Sequence, residues 1–233
     1  MVAHDPAPTT ATLMGHPYTA AAMDPERSPS TSNPRRVAVL VPIKDFADAK
    51  FRLAEALSAS QRSQIAREMA ARVVRAAAPH PVFVVCDDPV VASWAQKRGA
   101  EVIDSPVAGL NPSVSYGFAE LRAQGFDTVV ISHADLPLAR TFDGIADFDG
   151  VTIVPDRHGG GTNVMAVPTT LDFEFRYGAG SFPAHCDEAA NKGAVIRVVA
   201  ATDLQWDVDT PADLDQSLDL DSVLNTPPSE TSQ

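Results

Sequence analysis

The amino-acid sequence predicts an α/β domain built on a largely parallel sheet. Short apolar runs alternate with segments of helical periodicity through the middle of the chain, and this β-α-β-α order calls for parallel strands joined by right-handed crossovers. The first run, RVAVLVP, is almost continuously apolar, as expected of a strand covered on both faces. At 233 residues with 45% hydrophobic content, the chain suits one domain with a real core, or one domain with tails.

The elements follow in order. After RVAVLVP, residues Ser60 to Ala78 carry Ile65, Met69, Val73 and Val74 at helical spacing, with Ser60 placed to cap. PVFVVCD is the second strand, Pro89 to Arg98 a helix, AEVID the third strand, and Pro112 to Ala123 a helix. DTVVISHADLP is a fourth strand with a polar end, and GVTIVPD, NVMAVP and AVIRVVA supply later strands, with a helix over Phe182 to Lys192. Residues 1–35, rich in Pro, Thr, Ser and Ala without periodicity, read as a disordered leader. Residues 36–218 form the domain, and 219–233, ending in NTPPSETSQ, read as a flexible tail.

Charge narrows the function. With 18 Lys and Arg against 30 Asp and Glu, the net charge of −12 argues against a nucleic-acid partner, which needs a basic surface. Local cations in such a chain suggest a small anionic ligand. No apolar run approaches a membrane span, and the N-terminus lacks the basic start and apolar core of a secretory signal. The two cysteines, Cys86 and Cys186, have no CxxC or ligand spacing, so a reducing cytoplasm is expected and a disulfide framework or zinc site is not.

In a parallel sheet, ligands collect at the carboxyl ends of the strands. There the chain places Lys44, Asp87, Asp88, Asp104, Asp135, Asp156 and Asp207. The loop VPIKDFADAKFRL delivers Lys44, Lys50 and Arg52 directly after the first strand, where a helix start favours anions. In HADLP, Pro137 stops the strand, and Asp135 can hold Mg²⁺ against a triphosphate or cap the next helix. In WDVDTPADL, Asp207 and Asp209 lie two apart on an extended segment and so share a face; a cation relieves their repulsion. Thr210, Pro211 and Asp213 there form an acidic capping box.

Three further stretches can touch a ligand. In AGLNPSVSYGF, Gly109 and Asn111 introduce a helix; Asn111 is a good cap, and the turn can also present groups to a base or ribose. Asp87 and Asp88 offer acceptors that suit the donors of guanine, although Asp88-Pro89 is also a common turn start. In PDRHGGGTNVMAV and FRYGAGSFPAH, the glycines let backbone approach a ligand, and Ser181 opens a helix whose N–H groups can hold an anion, with Arg176 nearby. His133, His158 and His185 share no metal-ligand spacing, and no nucleophile elbow appears.

Taken together, VPIK with AKFRL, GLN, ADLP, PD with GGGTN, RYGAGSF with AH, and DVDTPADL resemble the CofC/FbiD family over roughly Arg36 to Leu218. These are guanylyltransferases of deazaflavin coenzyme biosynthesis. The resemblance implies a three-layer α/β/α fold of the nucleotide-diphospho-sugar transferase type, similar to the molybdenum-cofactor guanylyltransferases. It implies transfer of GMP from GTP to a small phosphorylated three-carbon acid: phosphoenolpyruvate as the expected acceptor, with 2-phospho-L-lactate or 3-phosphoglycerate as alternatives. It further implies that Lys44, Lys50 and Arg52 meet the triphosphate, and that Thr162, Gly178 and Ser181 bind the acceptor. Asp87, Gly109 and Asn111 are expected on the nucleotide, and Asp135 with Asp207 or Asp209 on Mg²⁺. The rivals are a pterin or sugar nucleotidyltransferase on the same fold, and a non-catalytic nucleotide-binding subunit. A homodimer is compatible with the sequence.

Overall fold

Alternation along the first strand, β1 (Val37–Pro42), divides the core in two. Val37, Val39 and Val41 pack on one face, while Ala38 and Leu40 pack on the other, because successive strand side chains point to opposite sides. All five are buried, so the apolar run does face two layers. The structure, a computed structural model, describes residues 35–47, 49–200, 202–211 and 213. The expected tail, and the expected leader apart from Arg35, lie outside the described residues. Arg35 already belongs to the fold: it donates to the carbonyls of Ala146 and Phe148 at 2.8 and 2.9 Å.

The chain continues through α1 (Ala59–Ala76), β2 (Val82–Cys86), α2 (Pro89–Gln96), β3 (Glu101–Asp104), α3 (Leu110–Ala123) and β4 (Thr128–Ser132). It finishes with β5 (Val151–Pro155), β6 (Thr162–Pro168), α4 (Ser181–Asn191), β7 (Ile196–Val198) and α5 (Thr202–Gln205). The seven strands form one sheet in the order β3-β2-β1-β4-β6-β5-β7. Helices α1 and α2 supply Ala70, Val73, Val91 and Trp94 to the Val39 face, and α3 and α4 supply Val114, Phe118, Leu121 and Ala189 to the Leu40 face. This is the three-layer α/β/α arrangement. No helix among the described residues is long and apolar enough to cross a membrane.

One strand departs from the parallel pattern. β6 runs antiparallel to both β4 and β5. The segment joining β5 to β6 is too short for a crossover, which needs a dozen or more residues, so the pair closes as a hairpin. The reversal has a functional consequence, because it puts the start of β6, Thr162, at the edge where β1, β2 and β4 end.

Helix starts differ from the sequence expectation at three points. Ser58, not Ser60, caps α1: its Oγ accepts from Gln61 N at 3.3 Å, and Gln61 Oε1 accepts from Ser58 N at 2.9 Å. Gly109, at φ 100°, is the cap of α3, and Asn111 lies inside the first turn. Gly180, at φ 74°, is the cap of α4, so Ser181 is its first helical residue. Asp88 caps α2 through Val90 N and Val91 N at 2.7 and 2.9 Å.

Candidate active site

The carboxyl ends of β1 and β4 open onto a cleft of about 290 Å³ lined by Lys44, Phe46, Lys50, Leu110, His133 and Asp135. A recess of about 140 Å³, sharing Lys44 and Leu110, continues past Cys86, Asp87, Gly109 and Ser113 at the ends of β2 and the start of α3. Most of these residues lie on loops, because strands of a parallel sheet must end where their crossovers begin; Cys86 closes β2, and Leu110 and Ser113 lie in the first turns of α3.

At the cleft, Lys50 joins two acidic elements that lie far apart in sequence. Its ammonium bonds Asp135 Oδ2 and also Asp209 Oδ1, the latter at 3.1 Å. Arg52 Nη1 reaches Asp209 Oδ2 at 3.4 Å from an otherwise exposed position. Burial opposes the charge of Lys50, but Asp135 and Asp209 outweigh it and raise its pKa. Burial likewise opposes the charge of Asp135, but Lys50 and His133 prevail and lower its pKa. Asp207 moves the other way: burial, then the charges of Asp135 and Asp209, push its carboxyl up. Asp207 therefore lies close enough to feel the charges of both Asp209, as the sequence suggested, and Asp135.

Arg157, which has no pattern of its own in the sequence, and Asp213 of the capping box hold this cluster. Arg157 Nη1 donates to Asp207 O at 2.9 Å, its Nη2 pairs with Asp213, and its guanidinium stacks on Trp206 at 4.3 Å. Asp213 Oδ2 in turn accepts from Asp209 N, Thr210 N and Thr210 Oγ1 at 2.9, 2.7 and 2.9 Å, which is the expected capping box. Arg157 thus clamps both ends of the WDVDTPAD segment. The only sequence signal for it was a cation flanking the glycine loop.

A second cluster of the expected residues is built on the glycine loops. Asp156 accepts from His158 N and Gly160 N through Oδ1, both at 3.0 Å, and from Gly161 N through Oδ2 at 2.7 Å. A side chain at Gly161 would collide with that carboxylate at 2.6 Å. The loop delivers Thr162, whose N–H donates to Ser181 Oγ at 2.9 Å. His185, fully buried, has Nε2 accepting from Arg176 N at 2.9 Å and Nδ1 3.0 Å from Thr162 Oγ1. Burial, then His133 and Arg176, lowers its pKa to about 4, so the ring is neutral and its proton sits on Nδ1. Thr162 Oγ1 and Ser181 Oγ are each acceptors in these bonds, which leaves both hydroxyl protons available for an anion. Gly178, at φ 128° where only glycine is comfortable, places its carbonyl against Ser181 N at 3.1 Å.

The expected site residues thus group as follows. Lys50, Asp135 and Asp209 are in direct contact, with Arg52 beside them and Asp207 within their field. Lys44, Asp87 and Gly109 line the recess. Thr162, Gly178 and Ser181 meet one another at the start of β6 and α4. Asn111 is placed differently from a free nucleotide ligand: its Nδ2 donates to Tyr177 O at 3.1 Å and its Oδ1 accepts from Tyr177 N at 2.6 Å. Its amide ties α3 to the loop that carries Tyr177 and Gly178.

For Mg²⁺, the donor set is the right chemistry, since this ion takes one or two carboxylates plus phosphate oxygens. Asp135 Oδ1 is buried without a hydrogen-bond donor, which fits a lone pair reserved for a cation. Among the described residues, no three His, Cys, Asp or Glu side chains already stand as a closed metal cage; Lys50 and Arg157 lie against the carboxylates instead.

The cleft thus lies at the carboxyl edge of the sheet, flanked by Lys44, Lys50 and Arg52 and by the aspartates Asp135 and Asp209. Among solved structures, the chain is similar to a putative nucleotide-diphospho-sugar transferase from Desulfovibrio desulfuricans, with a TM-score of 0.62 and 14% identity over 82% of this chain and 94% of that one. A nucleotidyl transferase from Methanothermobacter gives 0.53 at 17% identity, covering 82% and 99%. These similarities establish the fold. Residues 37–219 match the family described as "Guanylyl transferase CofC like", and the chain belongs to that family. A relative from Sphaerobacter thermophilus named phosphoenolpyruvate guanylyltransferase is 35% identical over 76% of this chain and 90% of its own length. One from Methanocaldococcus named 2-phospho-L-lactate guanylyltransferase is 30% identical over 76% and 78%.

Proposed function

We propose that this enzyme transfers GMP from GTP to phosphoenolpyruvate in the assembly of a deazaflavin coenzyme. The observation that carries the chemistry is the contact of Lys50 with both Asp135 and Asp209 at the mouth of the cleft. It unites the basic loop and the two acidic elements in one place, as nucleotidyl transfer requires.

In this reading the recess beside Asp87 and Gly109 receives the guanine, and Lys44, Lys50 and Arg52 face the triphosphate. Thr162 and Ser181 donate their hydroxyl protons to the acceptor beside Gly178. An acceptor phosphate oxygen attacks the α-phosphorus in line, the bond from that phosphorus to the bridging oxygen breaks, and pyrophosphate leaves with the electron pair. The acceptor phosphate is already ionised, so no general base is needed, and catalysis is positioning plus charge stabilisation. Asp135 with Asp207 or Asp209 would hold Mg²⁺, which supplies neutralisation of the reacting phosphates. Lys50 and Arg52 would take up the charge growing on the leaving group.

Phosphoenolpyruvate is favoured over the hydroxylated acid because Thr162 and Ser181 each accept one hydrogen bond, from His185 and from Thr162 N, and so offer their hydroxyl protons to an anion. Cys86 and Cys186 are buried thiols, which supports placing the reaction in the cytoplasm. The test is Asp135→Asn, with turnover followed by pyrophosphate release. A drop of about a hundredfold or more in kcat, with the melting profile retained, is expected; near-normal turnover with Mg²⁺ would remove Asp135 from the metal.

A further inference from the structure

Lys50 is the one non-glycine residue with positive φ among the described residues, at φ 56° and ψ 41°. A lysine gains nothing locally from the left-handed region, where a side chain costs about 1 kcal/mol. Such an outlier persists when its surroundings over-determine it, and it marks a functional constraint. Here the backbone twist at the start of the turn Phe51–Leu53 accompanies a lysine side chain only 11% exposed, with its ammonium on Asp135 and Asp209 at once. Lysine is rarely hidden to this degree unless paired. Its two carboxylate partners are among the three considered for Mg²⁺, and Asp135 Oδ1 beside it has no hydrogen-bond donor.

We propose that the Lys50 ammonium is a tethered stand-in for the metal, neutralising Asp135 and Asp209 until a divalent ion enters with the nucleotide, when the lysine is released onto the triphosphate. The proposal rests on the reading that these carboxylates hold the metal. The exchange leaves no charge stranded. The divalent ion takes over the carboxylates, and the displaced ammonium meets the new negative charge of the phosphates. Arg52, which shares Asp209, is freed by the same event. Asp135 and Asp209 are therefore not left bare to hold metal without substrate. Metal and nucleotide then bind cooperatively, because each supplies what the other's arrival displaces.

The test measures Mn²⁺ affinity without nucleotide, from the free-ion electron paramagnetic resonance signal, near neutral pH and at constant ionic strength. Wild type is compared with Lys50→Gly and Lys50→Asn, two residues that tolerate the left-handed backbone, so that one folded variant is secured. Removing the ammonium is expected to tighten Mn²⁺ binding about tenfold or more, as expected when an opposing charge is taken from a site. Adding Asp135→Asn is expected to abolish the gain. Equal affinity in wild type and variants overturns the stand-in and leaves the metal assignment intact. A gain that survives Asp135→Asn places the ion elsewhere and also overturns it. Absence of Mn²⁺ binding in every variant, with or without GTP, overturns both this inference and the metal assignment beneath it.

Discussion

The imidazole of His185 bridges two chain segments: its Nε2 accepts the N–H of Arg176 at 2.9 Å while its Nδ1 lies 3.0 Å from Thr162 Oγ1. That geometry needs a neutral ring, and burial enforces it. With the folded pKa at about 4 against an unfolded value near 6.5, the unfolded chain binds the proton first as pH falls. The stability contributed is fully present above the unfolded pKa and is lost on descending toward the folded one. Urea melts should show His185 removing about 2 kcal/mol between pH 7.5 and pH 5. His185→Gln should lack that increment; an identical acid loss in both proteins would show that the ring is not held neutral.

Asn111 and Tyr177 form a reciprocal pair between the α3 start and the acceptor loop. Asn111→Ala leaves a peptide N–H without its partner, which costs about 1–3 kcal/mol. It should also raise KM for the acceptor more than KM for GTP, because the loop carrying Gly178 loses its anchor. A variant whose defect lies wholly in GTP affinity would instead assign the amide to the nucleotide.

Cations at the cleft should rank by their engagement. Arg52 is 77% exposed and shares only Asp209, so Arg52→Ala should weaken kcat/KM for GTP by about tenfold or less. Lys50→Ala should cost considerably more, since Lys50 contacts both acidic elements. Steady-state kinetics at two salt concentrations separate them, with the Arg52 effect the more readily screened. Equal, salt-independent losses would contradict the ranking.

The cap of α1 gives a test independent of catalysis. Ser58→Ala should destabilise by about 1 kcal/mol, and Ser60→Ala by only a few tenths, because Ser58 makes the capping box with Gln61. The reverse order in thermal melts would restore the cap expected from sequence.

That misplacement shows where sequence reading stops. Ser58 and Ser60 are both good caps flanking the same apolar periodicity, and only the position of Gln61 three residues after Ser58 separates them. The strands were legible because buried parallel strands must be continuously apolar, and the carboxyl-edge aspartates were legible because that rule also locates ligands. The insertion of β6 between β4 and β5 was not, since strand order depends on long-range packing. Asp135 was legible by its position at a strand end, Lys50 by the basic loop after the first strand, and Asp209 by its spacing to Asp207. Arg157 was not, nor were the holding roles of Asp156 and His185, because their work is to keep backbone and a hydroxyl in place, and a lone cation, carboxylate or imidazole carries no spacing signal for that.

The most direct test of the central claim is the product mass formed from GTP, Mg²⁺ and one acceptor at a time, then from phosphoenolpyruvate, 2-phospho-L-lactate and 3-phosphoglycerate in equal amounts with limiting GTP. The account predicts pyrophosphate and guanylylated phosphoenolpyruvate as the dominant product. A dominant product from either of the other acids would contradict the acceptor assignment, and no guanylylated product from any of the three would contradict the proposed reaction itself.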